Sequence, residues 1–269
     1  MRLRQPGGST ASEPEELRDI ATQFYHTLLT EEIPPPEGLE CRQRVLRHVR
    51  RTVTDEMHVC LLIPFLGSEL HDAIRALACD SYPGEDGLIP CFFLCYWEIL
   101  EEGLWLAFQE VMDTGSLPES IAEGLIFLIP KEGGDLEEIK HWRLIMILNS
   151  AYKILAKALS LRLQPMLDFL IHPTHTGFVK DRSILDNIFT FWEAVSLARL
   201  RGEFLVVLLL DFEKAYDHVD WAFLKATMLR MGFPEAWIRG MAALYRSTHT
   251  QVLMSGGRGD RFSISRSIR

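Results

Sequence analysis

Residues 204–210, FLVVLLL, are seven consecutive apolar side chains, and the residue that ends them is a carboxylate, Asp211. The run is far too short to cross a bilayer, so it predicts a buried strand delivering a charge to its own end. A carboxylate leaving a strand commonly accepts N–H bonds from the next turn. In DFEKAYD, however, Asp217 is the better cap candidate for a helix from residue 219, which leaves Asp211 without that task. A carboxylate beside a backbone carbonyl is a hard, oxygen-rich site suited to Mg²⁺. One carboxylate does not make a two-metal centre.

The 269 residues suffice for one large domain or two small ones, with an ordinary soluble composition of 48% hydrophobic and 24% charged residues. The N-terminus, MRLRQPGGST, has no apolar signal core, so an intracellular protein is expected, in nucleus or cytoplasm. The odd number of cysteines (Cys41, Cys60, Cys79, Cys91, Cys95) contains no CxxC pair and reads as reduced, buried thiols without a disulfide-linked partner. The net charge of −9 argues at first against a polyanionic partner. Its distribution qualifies that argument. Residues 1–130 hold 9 Arg and no Lys against 22 Asp and Glu, a net −13, whereas residues 131–269 hold 19 basic and 15 acidic residues, a net +4.

Residues 1–12 are small and polar and predict a disordered tail. Helical apolar spacing runs over 14–29, IPPPEG breaks the chain, and a basic amphipathic helix is expected near 42–51. That helix reads most simply as a solvated face, with a phosphate contact as the alternative. Ser68 is the expected cap of ELHDAIRALA, and a long helix should follow over 91–112. Residues 124–129 read as a buried strand, AYKILAKALSLRLQPMLDFL as a helix, and 183–199, 219–231 and 234–245 as further helices. The ending TQVLMSGGRGDRF alternates around SGGRGD like a hairpin. Helices between sparse strands predict an α+β fold around a small sheet.

The motifs, taken in order, resemble the reverse transcriptases of LINE-type, non-LTR retrotransposons. LIPKEGG is followed by HWRLIMILNSAYKILAKALSLRLQPML, by HTGFVKDRSILDNI and by LLLDFEKAYDHVDW, while GSELHDAIRALACDSYPGEDGLIPCFF and MDTGSLPESIAEGL precede them. The resemblance covers about residues 13–269. It implies a right-hand polymerase: a helical extension over 13–110, then fingers and a partial palm over 111–269, with strand 204–210 in a small antiparallel sheet. It implies Mg²⁺ held by Asp211 and the Phe212 carbonyl, and Lys131 and Arg143 on the triphosphate of a dNTP. Tyr216 would be the steric gate against a 2′-OH, and Arg182 would reach nucleic acid. The implied partners are an RNA template and a DNA primer or target, with no membrane.

Several positions depart from the family pattern: Leu144, Met146, His175, Asp181 and Glu85 replace residues of other types around the expected nucleotide path. Asp181 stands for a glycine, and Asp is among the better substitutes where φ is positive. The family's later YADD-like carboxylates and its QGCPL segment have no counterpart in the 269 residues, so a chain truncated before the second catalytic motif is expected. Three readings stay open from the residues: part of a polymerase, a non-catalytic remnant with weak nucleic-acid binding, and a helical interaction scaffold. Whether this chain is an enzyme is not decided by them.

Overall fold

Two apolar patterns organise the chain, a period of two along its strands and a period near 3.6 along its helices, and each builds its own core. The computed structural model describes residues 2–5, 7–30, 35–246 and 249–267. Its helices are α1 (Pro14–Leu29), α2 (Pro36–Leu46), α3 (Asp55–Leu62), α4 (Gly67–Arg75), α5 (Pro90–Cys95), α6 (Trp97–Thr114), α7 (Glu119–Ala122), α8 (Ser150–Leu170), α9 (Ile184–Arg201), α10 (Trp221–Arg230) and α11 (Glu235–Ala243). Its strands are β1 (Leu3–Arg4), β2 (Thr10–Ala11), β3 (Gly124–Pro130), β4 (Trp142–Leu148), β5 (His249–Met254), β6 (Gly257–Arg258) and β7 (Phe262–Ser263). The fold is α+β, rich in helix with small sheets.

The main sheet runs β4-β3-β5-β6, with β7 pairing β5. β3 and β4 form an antiparallel ladder from Gly124↔Leu148 to Pro130↔Trp142, whereas β3 and β5 are parallel from Gly124↔Thr250 to Phe127↔Leu253. The expected antiparallel sheet is therefore mixed. A parallel pair needs a long crossover, and α8 to α11 provide it. On one face Ile126, Val252, Met254 and Phe262 pack against Leu17, Ala21, Tyr25 and Leu29 of α1. A separate helical core joins Leu70 and Ile74 of α4, Phe108 of α6, Ile154 and Leu155 of α8 and Trp237 of α11.

The junction between β4 and α8 ties loops to both cores. Asn149, 4% exposed, accepts from the Asp86 N–H at 3.3 Å and donates Nδ2–H to the Ser120 carbonyl at 2.7 Å. Ser150, fully buried, donates its hydroxyl to the Leu88 carbonyl at 2.6 Å. Gly84 must be glycine here, because a Cβ would lie 2.0 Å from Asn149 Oδ1 and 2.4 Å from its Cα. Farther along α8, Arg162 turns inward. Its guanidinium lies 3.7 Å from the centre of the Phe65 ring and makes two bonds to Glu69, at 2.9 and 2.5 Å, locking α8 to α4.

Several expectations are corrected. Residues 1–12 are not a disordered tail where described: Leu3 pairs with Ala11 and both are buried. The cause is long-range, since Arg4 pairs with Asp135, Glu137 and Glu138 and its N–H donates to the Glu137 carbonyl at 2.7 Å. Cys79 and Cys91 are joined in a disulfide with Cα atoms 4.9 Å apart, and Cys41, Cys60 and Cys95 are exposed rather than buried. The end of α4 and the start of α5 bring the two bonded cysteines together, which their spacing did not signal.

Leu66, not Ser68, is the cap position of α4, its N–H bonded to the Glu69 carboxylate at 2.9 Å. Asp220, not Asp217, caps α10 by accepting from the Phe223 N–H at 2.7 Å. α2 begins at Pro36 and stops at Leu46, earlier at both ends than expected. The expected 91–112 helix is two helices, broken at Tyr96. The IPPPEG break lies partly outside the described residues.

The largest correction concerns residues 204–210. They form no strand and are exposed, Phe204, Val206 and Leu209 almost fully. A strand exists only when its N–H and C=O groups find a ladder, and among the described residues none lies alongside this run. α9, which leads into it, buries Ala198 alone among its side chains before ending at Gly202, φ 64°.

Two outcomes follow from these contacts. Asn149→Ala removes both bonds of the buried amide, to the Asp86 N–H and the Ser120 carbonyl, and is expected to lower unfolding free energy by about 1–3 kcal/mol in urea denaturation. Val206→Lys with Leu208→Lys should suppress concentration-dependent aggregation in light scattering while leaving the unfolding midpoint in place, because both side chains face water.

Candidate active site

The site grows from the β3–β4 hairpin. Lys131 follows β3 directly; its N–H donates to the His141 carbonyl at 2.8 Å and its Nζ to the Lys140 carbonyl at 3.1 Å. Arg143 lies in β4 opposite Ile129, and its exposed side chain makes no hydrogen bond or ion pair with another described residue. Leu144 and Met146 prove to be strand residues rather than loop residues, and both pack against the apolar face under α1.

The DFEKAYD loop comes beside this hairpin. Lys214 adopts a left-handed backbone, φ 48°, and sends its ammonium 4.6 Å over the Phe24 ring of α1. Burial pulls the Lys214 ammonium below its usual range; neighbouring Glu213 and Asp217 oppose the shift and Lys131 adds to it. Burial likewise pushes the Asp217 carboxyl up, against the opposing pull of Lys214, His218 and Lys131. Tyr25 of α1 is raised by burial and then by Asp217, and its hydroxyl donates to the Trp142 carbonyl at 3.3 Å. These contacts gather the hairpin turn, the motif loop and α1. They border an open cleft of about 630 Å³, lined by Arg4, Phe24, Glu138, Lys140, Lys214 and Arg266 among others.

Tyr216, 53% exposed, meets the ring of Phe178 edge-on at 5.9 Å. Phe178 is 91% exposed with φ 58°, an uncommon conformation for an aromatic residue. Asp181 has φ 63°, the left-handed backbone that its glycine-like position suggested. Glu85 pairs with Arg258 of β6.

Arg182 is engaged within the protein. Its side chain is 11% exposed and donates to the Asp168 carboxylate and to the carbonyls of Asp168, Ile171, His172 and His175. It clamps the turn after α8 instead. Charge is visible in a sequence and its partner is not. Sequence reasoning also missed Phe24, Phe178 and Lys214. HTGFVK and DFEKAYD contain two of them, but only the fold brings Phe24 to the motif loop.

Asp211 is exposed and makes no hydrogen bond or ion pair with another described residue. Among the described residues no three His, Cys, Asp or Glu side chains are placed to hold a metal ion. One carboxylate and the Phe212 carbonyl fall well short of the roughly six oxygens a hard divalent cation takes. The expected Mg²⁺ site therefore does not fit these residues by themselves. No helix among the described residues is long and apolar enough to cross a membrane.

The Asp217 shift gives a pH test. Its folded-state pKa lies above the unfolded one, so burial costs stability as pH rises through the carboxylate range and costs nothing below it. Asp217→Asn should raise the melting temperature relative to the parent near pH 7, and the gain should vanish toward pH 3.5. A gain that persisted at low pH would locate its cause elsewhere.

The sequence profile described as "Reverse transcriptase (RNA-dependent DNA polymerase)" matches residues 129–263. The chain is 32% identical over 262 residues to the "Transposon TX1 uncharacterized 149 kDa protein" of Xenopus laevis, covering 97% of this chain and 20% of that protein. It is 29% identical over 210 residues to the "Retrovirus-related Pol polyprotein from type-1 retrotransposable element R2" of Popillia japonica, covering 77% of this chain and 28% of that protein. The chain thus spans between a fifth and a third of the length of these curated relatives.

Proposed function

Because the chain belongs to the reverse transcriptase family, and to its non-LTR branch, we propose that it forms the fingers and first part of the palm of an RNA-directed DNA polymerase. Residues 111–269 make up the polymerase portion and 13–110 a helical extension. What supports this reading is one juxtaposition. Lys131, at the turn leaving β3, lies near enough to Lys214 and Asp217 to bias their protonation, so the basic turn and the motif loop are neighbours.

In this reading Lys131 and Arg143 contact the triphosphate, where charge-assisted bonds neutralise phosphate oxygens. Arg143 suits that role because its side chain is exposed and has no hydrogen-bond or ion-pair partner among the described residues. In the same reading Tyr216 acts as the steric gate against a ribose 2′-OH, and its edge-on contact with Phe178 supports the ring. A divalent ion, when bound, would supply charge stabilisation for phosphoryl transfer. Asp211 and the Phe212 carbonyl would contribute two of the oxygens that hold it.

Primer extension tests the reading. The 269-residue chain alone is expected to be inert on a primed RNA template, as is its Asp211→Asn variant, because electrostatic stabilisation lost from an incomplete site costs orders of magnitude in rate. In a longer polymerase that includes these residues, Asp211→Asn should abolish extension and Tyr216→Val should admit ribonucleotides. Unchanged discrimination between dNTP and rNTP would overturn the gate. Extension by the isolated chain that the Asp211 change abolished would overturn the reading of the site as incomplete.

A further inference from the structure

The motif loop is held unevenly at its two ends. Among the described residues, no hydrogen bond or ion pair ties residues 204–213 to another part of the chain. Downstream the backbone is fastened: the Val219 carbonyl accepts from the Ser267 N–H at 3.0 Å, and Asp220 pairs with Arg42 and caps α10. Asp211, Phe212 and Tyr216 lie between these ends and are all exposed. The turn that follows them closes on itself, the His218 and Val219 N–H groups donating to the Lys214 and Tyr216 carbonyls at 3.2 and 3.4 Å.

Lys214 and Asp217 are the half-buried residues of DFEKAYD, and both meet α1. The Lys214 ammonium stands 4.6 Å over the Phe24 ring, and Asp217 acts electrostatically on the Tyr25 hydroxyl. Phe24 is a firm support. It packs against the core beneath the sheet and meets the Tyr25 ring edge-on at 5.1 Å, while buried Tyr25 is tied to the Trp142 carbonyl. Lys214 makes no ion pair with a described residue; Glu213 and Asp217 act on it without pairing. Its φ of 48° is uncommon for a residue with a side chain, and such a backbone persists only where the surroundings impose it. The face of an aromatic ring attracts an ammonium and can impose that direction.

We propose that Phe24 is a positioning residue: by holding Lys214 under the motif loop, its ring sets where Asp211 and Tyr216 stand. This rests on the polymerase reading above, in which those two residues face the metal and the sugar. Phe24 touches no reacting group and acts through Lys214, and Lys214 serves as an anchor rather than as a ligand of phosphate. The contact depends on the charge distribution of a ring face, so another aromatic residue can replace Phe24, whereas leucine fills similar space without attracting the ammonium. Phe24 lines the open cleft, which leaves room for a larger ring. Position 24 also lies outside residues 129–263, the stretch matched by the family profile.

Two measurements test it. In the 269-residue chain, Phe24→Leu and Lys214→Met should each speed amide hydrogen exchange at His218 and Val219 about two- to fivefold, the size of a partly exposed cation–π contact, and Phe24→Trp should keep the parent rate. In the longer polymerase that includes these residues, Phe24→Leu should lower the preference for dNTP over rNTP by about the same factor, and Phe24→Trp should recover it. A ring needed only for packing would lower the melting temperature in Phe24→Leu and leave sugar preference at the parent value, which would overturn the proposal. Failure of Phe24→Trp to recover either readout would overturn it too. A far larger loss of extension in Lys214→Met than in Phe24→Leu would make Lys214 a nucleotide ligand and overturn its role as anchor. Exchange that responds as expected in the isolated chain, beside extension that Asp211→Asn leaves intact in the longer polymerase, would support the Phe24 contact and overturn the polymerase reading instead.

Discussion

Asn149 and Ser150 are the polar pair on which the rest of the structure depends. They end a strand that belongs to the sheet core and begin a helix that belongs to the helical core. Buried side chains of this kind are tolerated only when their hydrogen bonds are met, and these are met by backbone groups of Asp86, Leu88 and Ser120. The two cores are thereby held in one relation to each other. Gly84 shows how closely the loop must approach for this to happen. β4, which carries Arg143, ends at that junction.

The site itself is an electrostatic compromise. Lys214 and Asp217 lie near one another, yet burial drives each toward its neutral form and their mutual attraction only partly offsets this. Lys131 lowers both, which pushes Lys214 toward its neutral form and Asp217 toward its charged form. α1 supplies the low-polarity wall that causes the burial, through Phe24 over Lys214 and Tyr25 beside Asp217. That helix lies outside the stretch matched by the family profile, residues 129–263, so the site is built by more of the chain than its conserved-looking motifs span.

Charge and apolar surface are distributed by the fold in ways their totals hide. A half with net −13 still gathers five of its nine arginines over residues 41–51, and two of them, Arg42 and Arg51, dock the segment on α10 and on the turn after α8. The most apolar run of the chain, which composition alone would place in the core, lies in water instead. Both facts have one cause: burial and pairing are decided by what a neighbouring element offers, not by the residue's own character.

The sequence by itself determined the helices α1, α8 and α9, the strand β3, the terminal hairpin and the order of motifs that identifies the family, because periodicity, turn chemistry and local spacing are written in adjacent residues. It also determined that Asp181 could take a left-handed backbone. Tertiary structure alone decided that residues 2–12, where described, would pair, since their partner is an acidic turn around residue 137. It decided that Arg182 would be a clamp and Arg143 would stay free, though both are single arginines in loop-flanking motifs. It decided that 204–210 would remain unpaired, because a strand's hydrogen bonds lie between segments and no stretch of sequence can state, on its own, which segment will be beside it.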